Sequence, residues 1–341
     1  MSKYNTFERC ESLELESEDR DLSSISPEDG KFAALRALKI TGGMKSIIIP
    51  LLERTAFDVQ HLIIAGEHQQ LAKRLPSLPL RVSKLELDQC SYEILSLSST
   101  LPSLQSLHVP RLPARAEASA PNLTHLRVTE LDLTALAALS ISKQLEYLEI
   151  DRFSDNVLTS IRLPCLKRLQ FNGTRTLHWG PIFSPLTQIE APALISLHIG
   201  YPTGGMGGVH NLLKDTVSRP TYQLSPLELT LQMALTPETI EDVLVQSPRV
   251  RKLYLTFHAV YQPWNDLAYS LTKQTRRDAN KSFELCPNLE VLEIELGWLP
   301  GNEEERQEWA AYAQRIMDSR RRDDMRAVTI ILKNGSTVVA K

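Results

Sequence analysis

The histidines are the first residues of this sequence whose chemistry could matter. Four of the eight, His61, His108, His125 and His198, fall at outward positions of predicted strands. Two of them, His108 and His125, belong to neighbouring units, so their imidazoles could share a metal ion if the side chains converged. They stand at different strand positions, however, which places them diagonally to each other. We therefore interpret these histidines as solvent-facing polar residues and predict no metal site.

Other residue groups that could support catalysis or cofactor binding lack the necessary spacing. The segment GYPTGGMGGVH, from Gly200 to His210, is rich in glycine, but it lacks the lysine and hydroxyl residue of a P-loop and the G-x-G-x-x-G spacing. No Ser/His/Asp or Cys/His grouping shows the spacing typical of nucleophilic catalysis. The four cysteines, Cys10, Cys90, Cys165 and Cys286, are scattered singly, which indicates reduced, mostly buried thiols. The sequence thus predicts a non-enzymatic protein with no catalytic residues and no cofactor.

A basic run could bind nucleic acid. Lys273, Arg276, Arg277 and Lys281 follow Tyr261, Trp264 and Tyr269 in one long insertion, spanning 258–285. Basic residues beside aromatic ones can contact phosphate and stack on bases, although a polar loop explains the same composition. The net charge of the chain is -3, so there is no overall basic field to attract nucleic acid or a membrane. Nucleic-acid association through 273–281 is therefore the alternative function, not the leading one.

The elements that carry these residues are copies of one repeat. LPSLQSLHV from Leu101, APNLTHLRV from Ala120 and CPNLEVLEI from Cys286 share the pattern Leu-x-x-Leu-x-Leu, usually introduced by proline. Thirteen candidate strands align on a middle apolar residue: Leu13, Leu38, Leu62, Leu85, Leu107, Leu126, Leu148, Leu169, Leu197, Leu227, Leu253, Leu292 and Val328. The spacing ranges from 19 residues (Leu107 to Leu126) to 39 residues (Leu253 to Leu292), with the longer intervals late in the chain. This pattern is typical of an irregular leucine-rich repeat.

The repeat predicts an α/β fold. One short strand cannot bury its apolar face alone, so the units must stack into a parallel sheet. We expect a single-domain leucine-rich-repeat solenoid over 7–332, shaped as a horseshoe. About 13 short parallel strands would lie on the concave face, with helices and loops on the convex face. Within 302–341 a helix beginning near Glu303 and a hairpin turning at Asn334-Gly335 would form a C-terminal cap.

The outward strand positions predict a partner-binding surface. Polar and aromatic side chains recur at the third and fifth motif positions of adjacent strands, and mixed charges with tyrosine and arginine suit protein recognition. The predicted concave-face site comprises Lys84, Glu86, His108, His125, Arg127, Tyr147, Glu149, Arg168, Gln170 and His198. The solvent-exposed face of any solenoid is polar, so these residues could also be ordinary solvated surface.

The motifs LPSLQSL, APNLTHL, LPCLKRL, APALISL and CPNLEVL, together with the ending RIMDSRRRDDMRAVTI, resemble the leucine-rich-repeat region of fungal F-box proteins. The likeness covers residues 7–332. It implies a substrate receptor of a cullin-RING ubiquitin ligase, in which an F-box docks on the adaptor and the repeats hold the protein to be ubiquitinated. The F-box itself is absent, because no Leu-Pro-x-Glu segment of about 40 to 50 residues precedes the first repeat. Adaptor docking is expected only if the whole protein carries an F-box that this sequence does not include.

The N-terminal stretch MSKYNTFERCESLELESEDRD contains no basic region followed by an apolar run. A secretory signal is therefore not expected, and no apolar segment approaches the ~20 residues that cross a membrane. The sequence favours a cytoplasmic or nuclear protein without a membrane partner.

Overall fold

The structure is a computed structural model, and it divides into two compact units. It describes residues 11–17, 34–42, 59–66, 81–88, 103–111, 122–131, 144–153, 161–172, 188–200, 224–232, 237–257, 269–277, 280–283, 285–296, 303–320, 327–332 and 337–340. The first unit comprises Met1–Ile150 and Ser154–Thr159, and the second comprises Asp151–Phe153 and Ser160–Lys341. Both units contain stacked parallel strands, each contributed by one sequence repeat.

The first unit contains strands in strict chain order. They are β1 (Ser12–Ser17), β2 (Ala37–Gly42), β3 (His61–Ala65), β4 (Lys84–Asp88), β5 (Ser106–Arg111), β6 (His125–Leu131) and β7 (Tyr147–Phe153), the last of which ends in residues grouped with the second unit. From β1 to β6 each strand pairs in parallel with the next. The register matches Leu85 with Leu107 and Leu107 with Leu126, as the repeat alignment predicts.

Alternating side chains explain why these segments form half-buried strands. In β4 the residues Leu85 and Leu87 are buried, whereas the residues between and beside them are not. A third apolar residue, Val82, is buried three positions before the middle leucine and anchors the approach to the strand. Because successive strand residues point to opposite faces, each repeat buries two strand residues and one anchor. Removing one such leucine side chain would cost about 2 to 5 kcal/mol.

A repeated backbone contact joins each strand to the one before it. The carbonyl oxygen of Gln60 accepts hydrogen bonds from the N–H groups of Ser83 (2.9 Å) and Lys84 (2.8 Å). The carbonyl of Gln105 does the same for Thr124 and His125, both at 2.9 Å. This contact satisfies backbone groups at the point where the chain enters the sheet, and it marks equivalent residues in successive repeats.

The second unit contains a longer and less regular set of elements. Its strands are β8 (Ile161–Arg162), β9 (Arg168–Phe171), β10 (Ile189–Glu190), β11 (Ser196–Gly200), β12 (Glu228–Gln232), β13 (Lys252–Phe257), β14 (Gln274–Arg277), β15 (Asn280–Phe283), β16 (Val291–Leu296), β17 (Ala327–Leu332) and β18 (Thr337–Ala340). Its helices are α1 (Pro237–Val245) and α2 (Glu303–Arg320). The main sheet runs β9, β11, β12, β13, β16 and β17 in parallel, and β18 closes it antiparallel to β17. The short strands β8 and β10 pair separately, as do β14 and β15.

The structure corrects one position of the repeat alignment. Leu229, not Leu227, pairs with Leu197 on one side and Leu253 on the other. The carbonyl of Leu227 accepts the N–H groups of Arg251 and Lys252, so Leu227 is the residue that precedes the strand. The error arose because the segment from Leu227 to Leu231 alternates leucine with polar residues, and a shift of two residues keeps the same face. A buried proline, Pro226, replaces the usual leucine anchor.

The C-terminal helix and hairpin are confirmed. Trp309, Ala313 and Ile316 are buried on α2, as its apolar periodicity predicts, and the helix contacts both β17 and β18. The β17–β18 pairing runs from Val328 opposite Ala340 to Ile331 opposite Thr337, so the chain reverses between them. Each unit is thus part of a leucine-rich-repeat solenoid. The boundaries proposed for a single domain, 7–332 with its cap at 302–341, stay a prediction.

Two further expectations need correction. The insertion that was interpreted as a polar loop contains a hairpin, because β14 and β15 pair with Arg276 opposite Lys281. Of the two cysteines in the described part of the chain, Cys286 is buried as expected, but Cys165 is exposed in the turn before β9. Among the described residues, no helix is both long and apolar enough to span a membrane.

Candidate functional site

The candidate site is the polar face of the sheet, which we define as the side formed by the first, third and fifth residues of each strand. The residues between them are the buried leucines, isoleucines and valines of the core. All ten predicted site residues occupy this face: Lys84, Glu86, His108, His125, Arg127, Tyr147 and Glu149 in the first unit, and Arg168, Gln170 and His198 in the second. Period-two alternation places these residues on one side of their strands, as the burial pattern shows, and their role in binding a partner stays a prediction.

Glu86 is the centre of a charge cluster in the first unit. Its carboxylate oxygen Oε1 lies 2.7 Å from Lys84 Nζ and 3.1 Å from His61 Nε2. Its second oxygen lies 3.9 Å from His108 Nδ1. Partial burial alone would raise the pKa of Glu86, but hydrogen bonds from Lys84 and His61 and their charges outweigh burial and lower that pKa. Glu86 is therefore held as a carboxylate by Lys84 of its own strand and His61 of β3.

A second cluster surrounds Glu149. Arg127 Nε lies 3.2 Å from Glu149 Oε1, and the Tyr147 hydroxyl donates a 2.9 Å hydrogen bond to Glu149 Oε2. The Tyr147 ring also contacts the His125 ring, with centroids 5.8 Å apart. Glu149 is only 8% exposed, so its carboxylate is enclosed by its partners. Glu149 is therefore held within the face by its neighbours, and its predicted role in partner binding stays a prediction.

Further ion pairs between side chains of adjacent strands occur along the first unit. Lys39 forms an ion pair with Glu14 across β1 and β2, and Arg111 Nη2 lies 2.7 Å from Glu130 Oε2 across β5 and β6. These pairs connect the same strand position on adjacent repeats, where side chains lie close enough to interact. The Lys39–Glu14 pair joins third strand residues and lies on the polar face, whereas Arg111 and Glu130 are sixth strand residues and lie beyond it. Charges on this face of the first unit, and next to it, are thus largely compensated.

The polar face of the second unit is different. Arg168 is exposed on β9, opposite Ser196 in the register, and Gln170 donates a 2.8 Å hydrogen bond to Asn172 Oδ1. Beyond them lies an open depression of about 330 Å³. It is lined by His198, Thr230, Gln232, Tyr254, Leu255, Thr256, Glu293 and Glu295. Of the predicted site residues, only His198 lines it.

The other polar lining residues were missed by the sequence-based site, although a signal for them existed. Thr230, Tyr254 and Glu293 are third strand residues in register with His198, and Gln232, Thr256 and Glu295 are fifth residues. The predicted ladder ended at His198 because the later repeats are irregularly spaced, and the displaced alignment at Leu227 concealed Thr230. Continuing the rows of third and fifth strand residues past the insertions would have identified these residues.

The charge of the depression is negative. Glu293 and Glu295 line it, whereas no lysine or arginine is among the lining residues in the described ranges. Two basic residues at the start of β13 are paired with other glutamates: Lys252 Nζ lies 2.6 Å from Glu228 Oε1, and Arg251, just before the strand, has its Nε 3.2 Å from Glu290 Oε1. The hydrogen bond to Glu228, reinforced by its charge, raises the pKa of Lys252. Glu295 accepts a 3.3 Å hydrogen bond from Thr256.

Possible sites of chemistry elsewhere are limited in the described part of the chain. Burial raises the pKa of the Cys286 thiol to about 12, so it stays protonated and is a poor nucleophile or metal ligand. No group of three or more His, Cys, Asp or Glu side chains in the described ranges is placed to hold a metal ion. The glycine-rich segment 200–210 lies outside the described residues except for Gly200, where an added Cβ would come within 2.8 Å of His198 Nε2.

Comparisons with known proteins add little to this description. No protein-family model matches the chain, and no curated protein sequence matches it. Among solved structures, the chain is similar to the crystal structure of an internalin from Listeria monocytogenes. The two chains are 14% identical, the match covers 78% of this chain and 75% of the internalin chain, and the TM-score is 0.32.

Proposed function

We propose that this protein is a non-enzymatic binding module that holds a protein partner on the polar face of its sheet. The observation that supports this proposal is that each unit carries charged and aromatic side chains in register on successive strands, with the depression on those of the second unit. Parallel strands hold such side chains at fixed spacing, so a partner meets a largely preformed surface. Tyrosine and arginine in such a setting are the residues that most often dominate binding energy.

A pull-down from cell extract tests this proposal, with the purified 341-residue chain as bait. The informative variants reverse exposed charges on the face: Lys84→Glu in the first unit and Arg168→Glu in the second. Glu149 is unsuitable because its reversal would place a lysine in a nearly closed position. Matched controls are Arg249→Glu, in an exposed turn after α1, and Glu308→Lys, exposed on α2.

The expected result is a set of proteins captured by the wild type and both controls but reduced in Lys84→Glu, Arg168→Glu or both. Salt screens exposed charges, so the loss of binding should be greater at low salt than at 150 mM salt. The proposal fails if both face variants retain every partner that the wild type captures.

The finer form of the proposal is that the module is the substrate-recognition part of a ubiquitin-ligase receptor that acts in the cytoplasm or nucleus. It is supported by the resemblance of LPSLQSL, LPCLKRL and CPNLEVL to repeats of fungal F-box proteins. A receptor fragment without its adaptor-docking segment would hold its substrate without delivering it. Overexpression of this chain should therefore lengthen the half-life of its captured partner after protein synthesis is blocked. An unchanged half-life would contradict the ligase role and leave partner binding intact.

A second candidate function is nucleic-acid association through the β14–β15 hairpin. The backbone register places Arg276 opposite Lys281, so two basic residues occupy one cross-strand position. Phosphate contacts weaken steeply with salt, and four such contacts would give a slope of about −3 in log affinity against log salt on a single strand. Gel-shift titration with a labelled single-stranded oligonucleotide distinguishes this function from the first. Binding that is unchanged by alanine at Lys273, Arg276, Arg277 and Lys281 would exclude the hairpin.

A further inference from the structure

The depression in the second unit has the composition of a site for a positively charged side chain. Glu293 and Glu295 are the third and fifth residues of β16, so both carboxylates project from the same face of one strand. Their Cα atoms are separated by about 6.6 Å along the strand. A ligand group that contacts both carboxylates must therefore carry several hydrogen-bond donors spread along one edge of the group, not a single donor atom.

Tyr254 forms the adjacent wall. It pairs in register with Glu293, and its ring is only partly exposed on β13. The face of a tyrosine ring attracts a cation that lies within about 6 Å of its centroid. A flat cation between this ring and the two carboxylates would gain both interactions at once.

Two described basic residues close to Tyr254 in the sequence form ion pairs with other glutamates. Lys252, next to Tyr254 on β13, has its Nζ 2.6 Å from Glu228, and Arg251 pairs with Glu290 at 3.2 Å. Within the described residues, no lysine or arginine is recorded against Glu293 or Glu295. The depression thus retains a net negative charge, whereas the clusters around Glu86 and Glu149 are internally compensated.

We propose that this depression binds an arginine side chain presented by the protein partner. A guanidinium is planar, remains charged at every accessible pH and offers five N–H donors on a rigid fork. It can donate to Glu293 and Glu295 while its plane lies against Tyr254. Lysine, with its compact ammonium, would satisfy one carboxylate and make a weaker contact with the ring. This inference depends on the proposed protein-binding function and specifies the chemistry of its partner.

Fluorescence polarisation with short labelled peptides tests the assignment on the full 341-residue chain. The probes are five-residue peptides with alanine on both sides of a central arginine, citrulline or lysine. Citrulline is the decisive comparison because it keeps the shape of arginine but carries no charge. We expect the arginine peptide to bind about tenfold more tightly than the citrulline peptide, as charge-assisted hydrogen bonds predict, with lysine between them.

Variants locate the site. Glu293→Gln should weaken arginine binding and narrow the preference over citrulline, because only the Glu295 carboxylate remains, and it should change citrulline binding less. Tyr254→Leu should weaken arginine binding, whereas Tyr254→Phe should retain it because the ring remains. Glu308→Gln, an exposed glutamate on α2, is the matched control and should behave as the wild type. Thermal melting of each variant shows whether it is folded.

Several results would overturn the arginine site. They are equal binding of arginine and citrulline peptides, equal binding of arginine and lysine peptides, unchanged arginine binding by Glu293→Gln, or no saturable binding at millimolar peptide. These failures are separable from failure of the proposed function. If Lys84→Glu loses a partner but the wild-type chain shows no preference for the arginine peptide, only the arginine site is rejected. An arginine preference without any partner sensitive to Lys84→Glu or Arg168→Glu removes the broader proposal.

Discussion

The polar faces of the two units are built from the same strand positions but use their charges differently. In the first unit, Glu86 and Glu149 each contact side chains of their own strand and of a neighbouring repeat. In the second, Glu293 and Glu295 line an open depression, and none of the lining residues that the structure describes is lysine or arginine. A glutamate at the third residue of a strand thus stabilises the sheet in one repeat and is available to bind a ligand in another. Position in the motif determines the face, and the neighbouring strands determine the role.

The second unit gains stability from a charge placed away from its polar face. Arg320, in the last turn of α2, is 1% exposed. Its Nε donates to the carbonyl oxygen of Leu271 at 2.9 Å, Nη1 to that of Cys286 at 2.8 Å, and Nη2 to that of Leu285 at 2.6 Å. One guanidinium therefore fastens the C-terminal helix to two segments that precede it by more than thirty residues. Cys286 lies at a φ of 45°, a left-handed conformation that this contact helps to hold.

The largest expected effect is that of Arg320→Met. It removes all three hydrogen bonds and leaves buried carbonyl groups without donors, so we expect a loss of about 3 to 5 kcal/mol in the free energy of unfolding. Urea denaturation followed by circular dichroism measures it. Arg315→Met on the same helix is the control, because Arg315 is exposed over Tyr312, and it should cost less than about 0.5 kcal/mol. Similar losses for the two variants would show that Arg320 contributes no special anchoring.

The next effect tests the contrast between the two faces directly. Glu149→Ala breaks contacts with Arg127 and Tyr147 in an enclosed site, and we expect it to destabilise the protein by about 1 to 3 kcal/mol. Glu293→Ala makes the same chemical change at the same strand position, where no compensating pair is lost, and should cost less than about 0.5 kcal/mol. Both are measured by urea denaturation. If Glu293→Ala is as costly as Glu149→Ala, the second face is also internally paired and the contrast disappears.

Much of the fold could be predicted because it depends on local alternation. Twelve of the thirteen middle residues were assigned from the Leu-x-x-Leu-x-Leu pattern and agree with the parallel strands. The exception, Leu227, shows the limit of that pattern. A displacement by two residues preserves the buried face, and only the backbone contacts between neighbouring repeats distinguish Leu227 from Leu229.

The candidate site was less predictable. Alternation could assign Glu149 to the polar face, but its burial depends on Arg127 and Tyr147 lying over the carboxylate. Arg320 shows the same limit, since a basic residue in the last helical turn suits the helix dipole in solvent. Its burial requires carbonyl groups 34 to 49 residues earlier in the chain to converge on it. Contacts of this kind follow from tertiary packing and not from a periodic pattern.

The smallest expected effect concerns pH and the cluster around Glu86. Because the pKa of Glu86 is lowered in the folded protein, its carboxylate stabilises the fold at any pH above the pKa that Glu86 has in the unfolded chain. That contribution is lost as the pH falls through the lower, folded-state pKa. Wild type should therefore exceed Glu86→Gln in stability by less than about 1 kcal/mol at neutral pH, since the cluster is partly exposed. The difference should shrink in urea denaturations carried out at progressively lower pH below about 4.5. A difference that grows on acidification would mean that protonated Glu86, not its carboxylate, is the form the fold prefers, and the self-paired description of the first face would be wrong.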